Sequence, residues 1–343
     1  MWLLNITFSA MYTRRNIKSS IILRFAWKNL ILFTLYASLV VLAYVLLRRY
    51  DIYIGIPFLP VSTTGIAVAF YLGFKNNQSY DRFWEARKAW GGITNYSRVW
   101  GSQVISYINS QPDKAGTDAE IAKKLIYRQI AWINALRIQL RKTTIYDRKN
   151  ISYVPVFDLG ADNKSLDAIS GFLSEAEYNE VLAKANAATQ LFRLQGMHLT
   201  QLVTNGTLSE RRQIDMMRTI EQLYNFQGVC ERIKNTPFPR QYAYMSTIFV
   251  WIFLLILPFG LVEQFSGSKT AHMIWLAVPF NVLISWFFST MEIVGDNSED
   301  PFENYVNDVP MTAISRNIEI DLREMLGETN LPPRIQPVND VLL

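Results

Sequence analysis

The sequence predicts an all-α membrane protein, with four transmembrane helices in each subunit and a cytosolic helical region. Three observations predict it. Four stretches free of Asp, Glu, Lys and Arg reach spanning length, the charged share of 18% lies below that of soluble domains, and no segment alternates polar and apolar residues as a strand does. A helix crosses the hydrocarbon core in about 20 residues at about 1.5 Å each. One such run also fits a buried helix of a soluble protein; four in one chain do not.

Residues 1–28 form an N-terminal arm. It opens on the apolar MWLLNITFSAMY and carries Arg14, Arg15 and Lys18 afterwards, the reverse of a secretory signal. Such an arm lies along the membrane surface or packs on a neighbour. The first span, 29–49, is closed by Arg48 and Arg49. The second, 52–74, holds Pro57 and Pro60 near its start, which predicts a bent entry and a helix from about Ser62. Residues 75–240 contain no span and read as helical. From Asp118 to Lys142, Ile121, Leu125, Ile130, Ile133, Leu136 and Leu140 recur at helical spacing. Thr143–Asn163, with Pro155 and Gly160, is irregular. Ser174 with Glu177 forms a capping box for a helix running to Leu202, and Thr207 with Glu210 forms a second before a helix over Arg211–Ile233. The third and fourth spans, 241–262 and 271–291, contain Pro258 and Pro279, which predict kinks. Residues 292–343 are a cytosolic tail.

Basic residues set the orientation. Arg14, Arg15, Lys18, Arg24 and Lys28 precede the first span without any acid, and Lys75, Arg82, Arg87, Lys88 and Arg98 follow the second. Positive-inside counting places both termini and residues 75–240 in the cytosol. The basic clusters are therefore topology signals, and no nucleic-acid partner is expected. The lone cysteine, Cys230, excludes an intrachain disulfide, and two histidines leave little for zinc or triad chemistry. No nucleophile, metal cluster or phosphate-binding loop accompanies the carboxylates, so no enzyme and no cofactor are expected. No ionisable group sits mid-span apart from His272 at the edge of the fourth, which favours passive conduction or a membrane scaffold over coupled transport.

One pattern on the second span needs a reason. Ile66, Phe70 and Phe74 recur at i, i+4 and i+8, so they share one face over about 12 Å of helix. Packing against lipid or neighbouring helices explains such a stripe as readily as a pore does.

Three motifs then carry a resemblance. FKNNQSYDRFWEARKAWG ends at Gly91, CERIKNTPFP runs from Cys230 to Pro239, and SEDPFENYVNDVP runs from Ser298 to Pro310. In this order, with the four spans between, the chain resembles the bestrophins, an ion-channel family with a large bacterial branch. The resemblance implies a homopentamer with one central pore. It places Ile66, Phe70 and Phe74 on the hydrophobic neck, a gate of apolar rings, and Leu199 at the cytosolic aperture. Ser62, Thr63 and Thr64 are expected to cap the pore helix at the ion entry. Tyr80, Asp81, Arg82, Trp84, Glu85 and Arg87 match the family signature and read as structural, with Asp81, Glu85 and Lys88 spaced for pairs along the helix. Animal members bind calcium in the region of the third motif through consecutive acids. Here Asn304-Tyr305-Val306-Asn307 replaces that run, so calcium is not expected, and only Asp300 and Asp308 would remain as ligands. A salt-bridged subunit contact is the expectation for the acids of this region. The permeant ion is expected to be chloride or another anion, with sodium as the alternative, since the bacterial branch includes a cation-conducting type.

Overall fold

The computed structural model describes residues 11–12, 19–108, 115–142, 165–266, 271–304, 308–337 and 341–342. Much of the N-terminal arm, the irregular segment 143–163 and residues 305–307 lie outside them. Among the described residues the chain forms α1 (Ser19–Leu47), α2 (Phe58–Ile108), α3 (Ala115–Leu140), α4 (Glu175–Leu182), α5 (Ala187–Thr204), α6 (Glu210–Asn235), α7 (Arg240–Phe265), α8 (Ala277–Asn297) and α9 (Met311–Met325). The only strands among them are β1 (Met11–Tyr12) and β2 (Val341–Leu342), paired antiparallel with Met11 opposite Leu342. That pairing brings the two ends of the chain together, and no periodicity foreshadowed it.

The chain forms two compact units. One comprises Arg14–Arg82 and Pro237–Glu299, the other Met1–Thr13, Phe83–Thr236 and Asp300–Leu343. Among the described residues, four helical stretches are long and apolar enough to cross a membrane: Ala26–Tyr50, Phe58–Ile108, Arg240–Phe265 and Met273–Asn297. Within the first unit, Val41, Tyr44, Val61, Leu72, Phe253 and Val262 form the core. Leu35 and Leu39 of α1 stay exposed, as a lipid-facing surface requires. The second unit packs Trp90, Trp100 and Trp132 in its centre. Trp132 stacks on Phe192 with ring centroids 4.3 Å apart and donates its indole N–H to Gln227 Oε1 at 3.0 Å. The ring thus buries its apolar body and keeps its polar atom satisfied.

Several boundaries differ from the sequence expectation, each for a local reason. Helix α2 starts at Phe58 rather than Ser62, because Pro60 falls in the first turn, where a missing N–H costs nothing. It then runs unbroken to Ile108. The helix from Ser174 ends at Leu182: Ser174 does cap α4, but Asn186 caps a new helix, α5, its side chain accepting from Thr189 N at 2.9 Å. Ser209 caps α6, in place of Thr207. Pro258 sits inside α7, whereas Pro279 occupies the first turn of α8, where proline is tolerated. A Cβ on Gly65 would come within 2.8 Å of the Phe253 ring, so only glycine lets α2 and α7 pack this closely.

Candidate functional site

The two faces of α2 differ sharply. Val61, Gly65, Val68 and Leu72 turn into the core, while the opposite face stays uncovered. On that face Ile66 is 72% exposed, Phe70 81% and Phe74 53%. The three residues singled out by spacing are thus brought together as one stripe that the described residues leave largely exposed. Below Phe74 the same exposed side continues through Asn77, Tyr80 and Asp81. The stripe thus ends where polar residues begin, as on a helix that leaves apolar surroundings for water.

Ser62, Thr63 and Thr64 do not cap the helix. They lie within it, and their hydroxyls donate back to the carbonyls of Leu59, Leu59 and Pro60, each at 2.9 Å. Their O–H groups are therefore spent on backbone rather than offered to an anion. Leu199 is also corrected. It is 0% exposed, in the core with Leu191, Gln195 and Leu202, and it lines no surface. Met197, Thr200 and Gln201 are the exposed residues around it. The signal was present in the sequence, since Leu191, Gln195 and Leu199 recur every four residues and share one face.

Arg82 and Glu85 of the family signature are held by contacts far along the chain, and Asp81 by one along the helix. Arg82 Nε donates to the Glu299 carbonyl at 2.9 Å, and Arg232 bonds Glu85 Oε1 at 2.5 Å. Asp81 accepts from Asn77, at 3.5 Å. The expected pairing of Asp81 and Glu85 with Lys88 is replaced by these partners. Tyr80 and Trp84 keep exposed rings, and Arg87 lines a shallow cleft with Trp84, Lys88 and Asn95.

Sequence reasoning missed the buried charges. Lys75 is 1% exposed, with its ammonium 3.2 Å from Glu292 Oε1 and 2.5 Å from Asp296 Oδ1. Thr247 Oγ1 donates to the same Glu292 oxygen at 2.6 Å. Further on, Arg240 pairs with Glu299 and Lys234 with Glu303. The acids of the third motif thus serve as counter-ions within one chain, where a contact between subunits was expected. Asp308 is buried and acts on the nearby Arg141 guanidinium.

A family model described as Bacterial/Fungal Bestrophin protein matches residues 6–324. The chain belongs to the bestrophin family. This bestrophin is 31% identical over 288 residues to the voltage-dependent anion channel-forming protein YneE of Escherichia coli K12, covering 83% of each chain. It is 30% identical over 272 residues to the voltage-dependent anion channel-forming protein RSc3414 of Ralstonia nicotianae, covering 79% of this chain and 78% of that one. Among solved structures, the bestrophin homolog of Klebsiella pneumoniae aligns with a TM-score of 0.73 at 27% identity, over 89% of this chain and 98% of the other. An enzyme reading falls away, since these relatives are named for forming channels.

Next to Met197 the bestrophin chain holds a titratable cluster. Buried Arg128 donates to Gln195 Oε1 at 2.6 Å and to Glu177 Oε1 at 2.5 Å, and lies 3.4 Å from His198 Nδ1. Lys124 approaches the same Glu177 oxygen at 3.2 Å. Burial, together with the Arg128 and Lys124 charges, pushes the His198 imidazole down to about 4. An unfolded histidine takes up its proton near 6.5, so this group leaves stability unchanged above that pH and lowers it as pH falls towards about 4. His198→Gln is expected to flatten that acid limb in a thermal-midpoint series across this window. Parallel curves for the two proteins would assign the limb to other groups.

Proposed function

We propose that the chain is the subunit of a homopentameric channel with one central pore, its neck formed by Ile66, Phe70 and Phe74 and its permeant ion a small monovalent anion such as chloride. The observation that carries this reading is the uncovered apolar stripe of α2, continued by polar residues on the same side. Five copies of that stripe around an axis make three apolar rings, narrow enough to gate by dewetting. The names of the relatives favour an anion, as does the net charge of +5 on each copy. Both termini and residues 75–240 face the cytosol in this reading, and the bilayer is the bacterial inner membrane. At the cytosolic aperture implied by the family, Met197 stands in for the buried Leu199 among the exposed side chains of α5.

A monovalent cation such as sodium is the second reading. One observation favours it: the neck has no basic side chain, while Asp81 is exposed on the side of α2 below it. Purified protein in a planar bilayer under a potassium chloride gradient separates the two. The expected reversal potential lies towards the chloride equilibrium potential. A reversal towards the cation potential selects the second reading, and absence of current under every salt leaves a membrane scaffold.

A further inference from the structure

Helix α8 carries a file of buried polar side chains, Asn281, Ser285, Ser289 and Glu292. Steps of four, four and three residues keep them on one face over about 16 Å of axis. The end of the file nearest the α8 C-terminus is satisfied. Glu292 accepts from Lys75 and Thr247, and Ser289 Oγ accepts from Asn29 Nδ2 at 3.2 Å. The other end is not. Asn281 is 0% exposed and Ser285 1%, yet neither polar atom of the Asn281 amide nor the Ser285 hydroxyl has a hydrogen-bond partner. Ser246 of α7, equally buried, also lacks one.

The surroundings offer no remedy. α8 packs against α1 and α7, whose buried faces present Phe33, Ala37 and Val41 on one side and Val250, Phe253 and Leu254 on the other. Turning the amide over brings it no partner among these apolar side chains. A neighbouring copy cannot supply one, because the single subunit already covers both residues. Each such group left dry costs about 1–3 kcal/mol, and the hydrocarbon around a span provides nothing to bond.

We infer that each subunit binds water at the Asn281–Ser285 level of its helix bundle, leading along the polar face of α8 towards the Lys75–Glu292 ion pair. Water fits the chemistry of the site. The amide presents two donors and an acceptor, the hydroxyl presents both, and a water molecule bridges such groups with two to four bonds. An ion does not fit, since α8 carries no ionisable residue before Glu292 to balance its charge.

Cysteine accessibility tests the inference on the full chain in lipid nanodiscs. Ser285→Cys changes one atom. The native Cys230 contributes little background, because burial pushes its thiol up and out of reach. Silver ions, which travel with water, are added, and the remaining free thiols are counted by mass spectrometry. Ser285→Cys is expected to be consumed at least about tenfold faster than Val61→Cys, a dry-core control that packs against Gly260. Equal rates at the two positions overturn the inference. Asn281→Leu gives a second readout that does not depend on labelling. A hydrated amide replaced by an apolar side chain of similar size lowers the thermal midpoint, whereas relief of a dry, unbonded amide raises it and overturns the proposal.

Discussion

Phe70→Ala is expected to raise the bilayer current on the order of tenfold while leaving the stability of the subunit within about 0.5 kcal/mol of the parent. Both halves follow from the same fact. Phe70 is 81% exposed within the subunit, so truncating it opens no cavity and removes no core contact. If five Phe70 rings close a pore, the same truncation widens the constriction and lowers the cost of keeping it wet. Removing about 1.4 kcal/mol from that barrier gives the tenfold change. Ile66→Ala and Phe74→Ala are expected to act in the same direction, and less strongly for the partly covered Phe74. The opposing outcome is specific. A stripe that serves as a packing surface between copies would lose oligomer mass in detergent and show no gain in current.

The sequence made some features legible and hid others for physical reasons. The stripe was legible because Ile66, Phe70 and Phe74 lie on one face of any helix that contains them, whatever else the chain does. The four spans were legible because a bilayer admits no charged side chain at its centre. The length of α2 was not. Its course past the span rests on packing, since a Cβ on Gly92 would lie 2.2 Å from the Phe226 ring. That glycine serves close packing on α6, which only the folded chain brings near. Ser62, Thr63 and Thr64 were misread for a related reason. A hydroxyl near a helix start caps an amide or bonds back to a carbonyl, depending on where the helix begins, and Pro60 moved that start earlier. The resemblance puts Leu199 at an aperture, whereas its own four-residue periodicity with Leu191 and Gln195 puts it on the buried face. Lys75 was hidden outright, because its carboxylate partners lie 217 and 221 residues away.

Lys75 carries the largest stability effect expected of any single substitution at these sites. Lys75→Met keeps most of the side-chain volume and removes the charge, which leaves the buried Glu292 carboxylate with only the Thr247 hydroxyl as donor. Breaking a buried pair from one side costs about 3–5 kcal/mol, a large part of the stability of an ordinary domain. The expected result is loss of folded protein on size-exclusion chromatography, before any current can be recorded. Charge, rather than shape, is the cause, and rescue separates the two. Neutralising the acids as well, in Lys75→Met with Glu292→Gln and Asp296→Asn, removes the carboxylate charges that faced the lysine while changing the packing further. Recovery of folded protein in the triple variant identifies electrostatics, because a set of neutral groups of similar size is often no less stable than the buried ions it replaces. A triple variant as poorly folded as Lys75→Met would instead assign the loss to the lysine's own packing between α2 and α8.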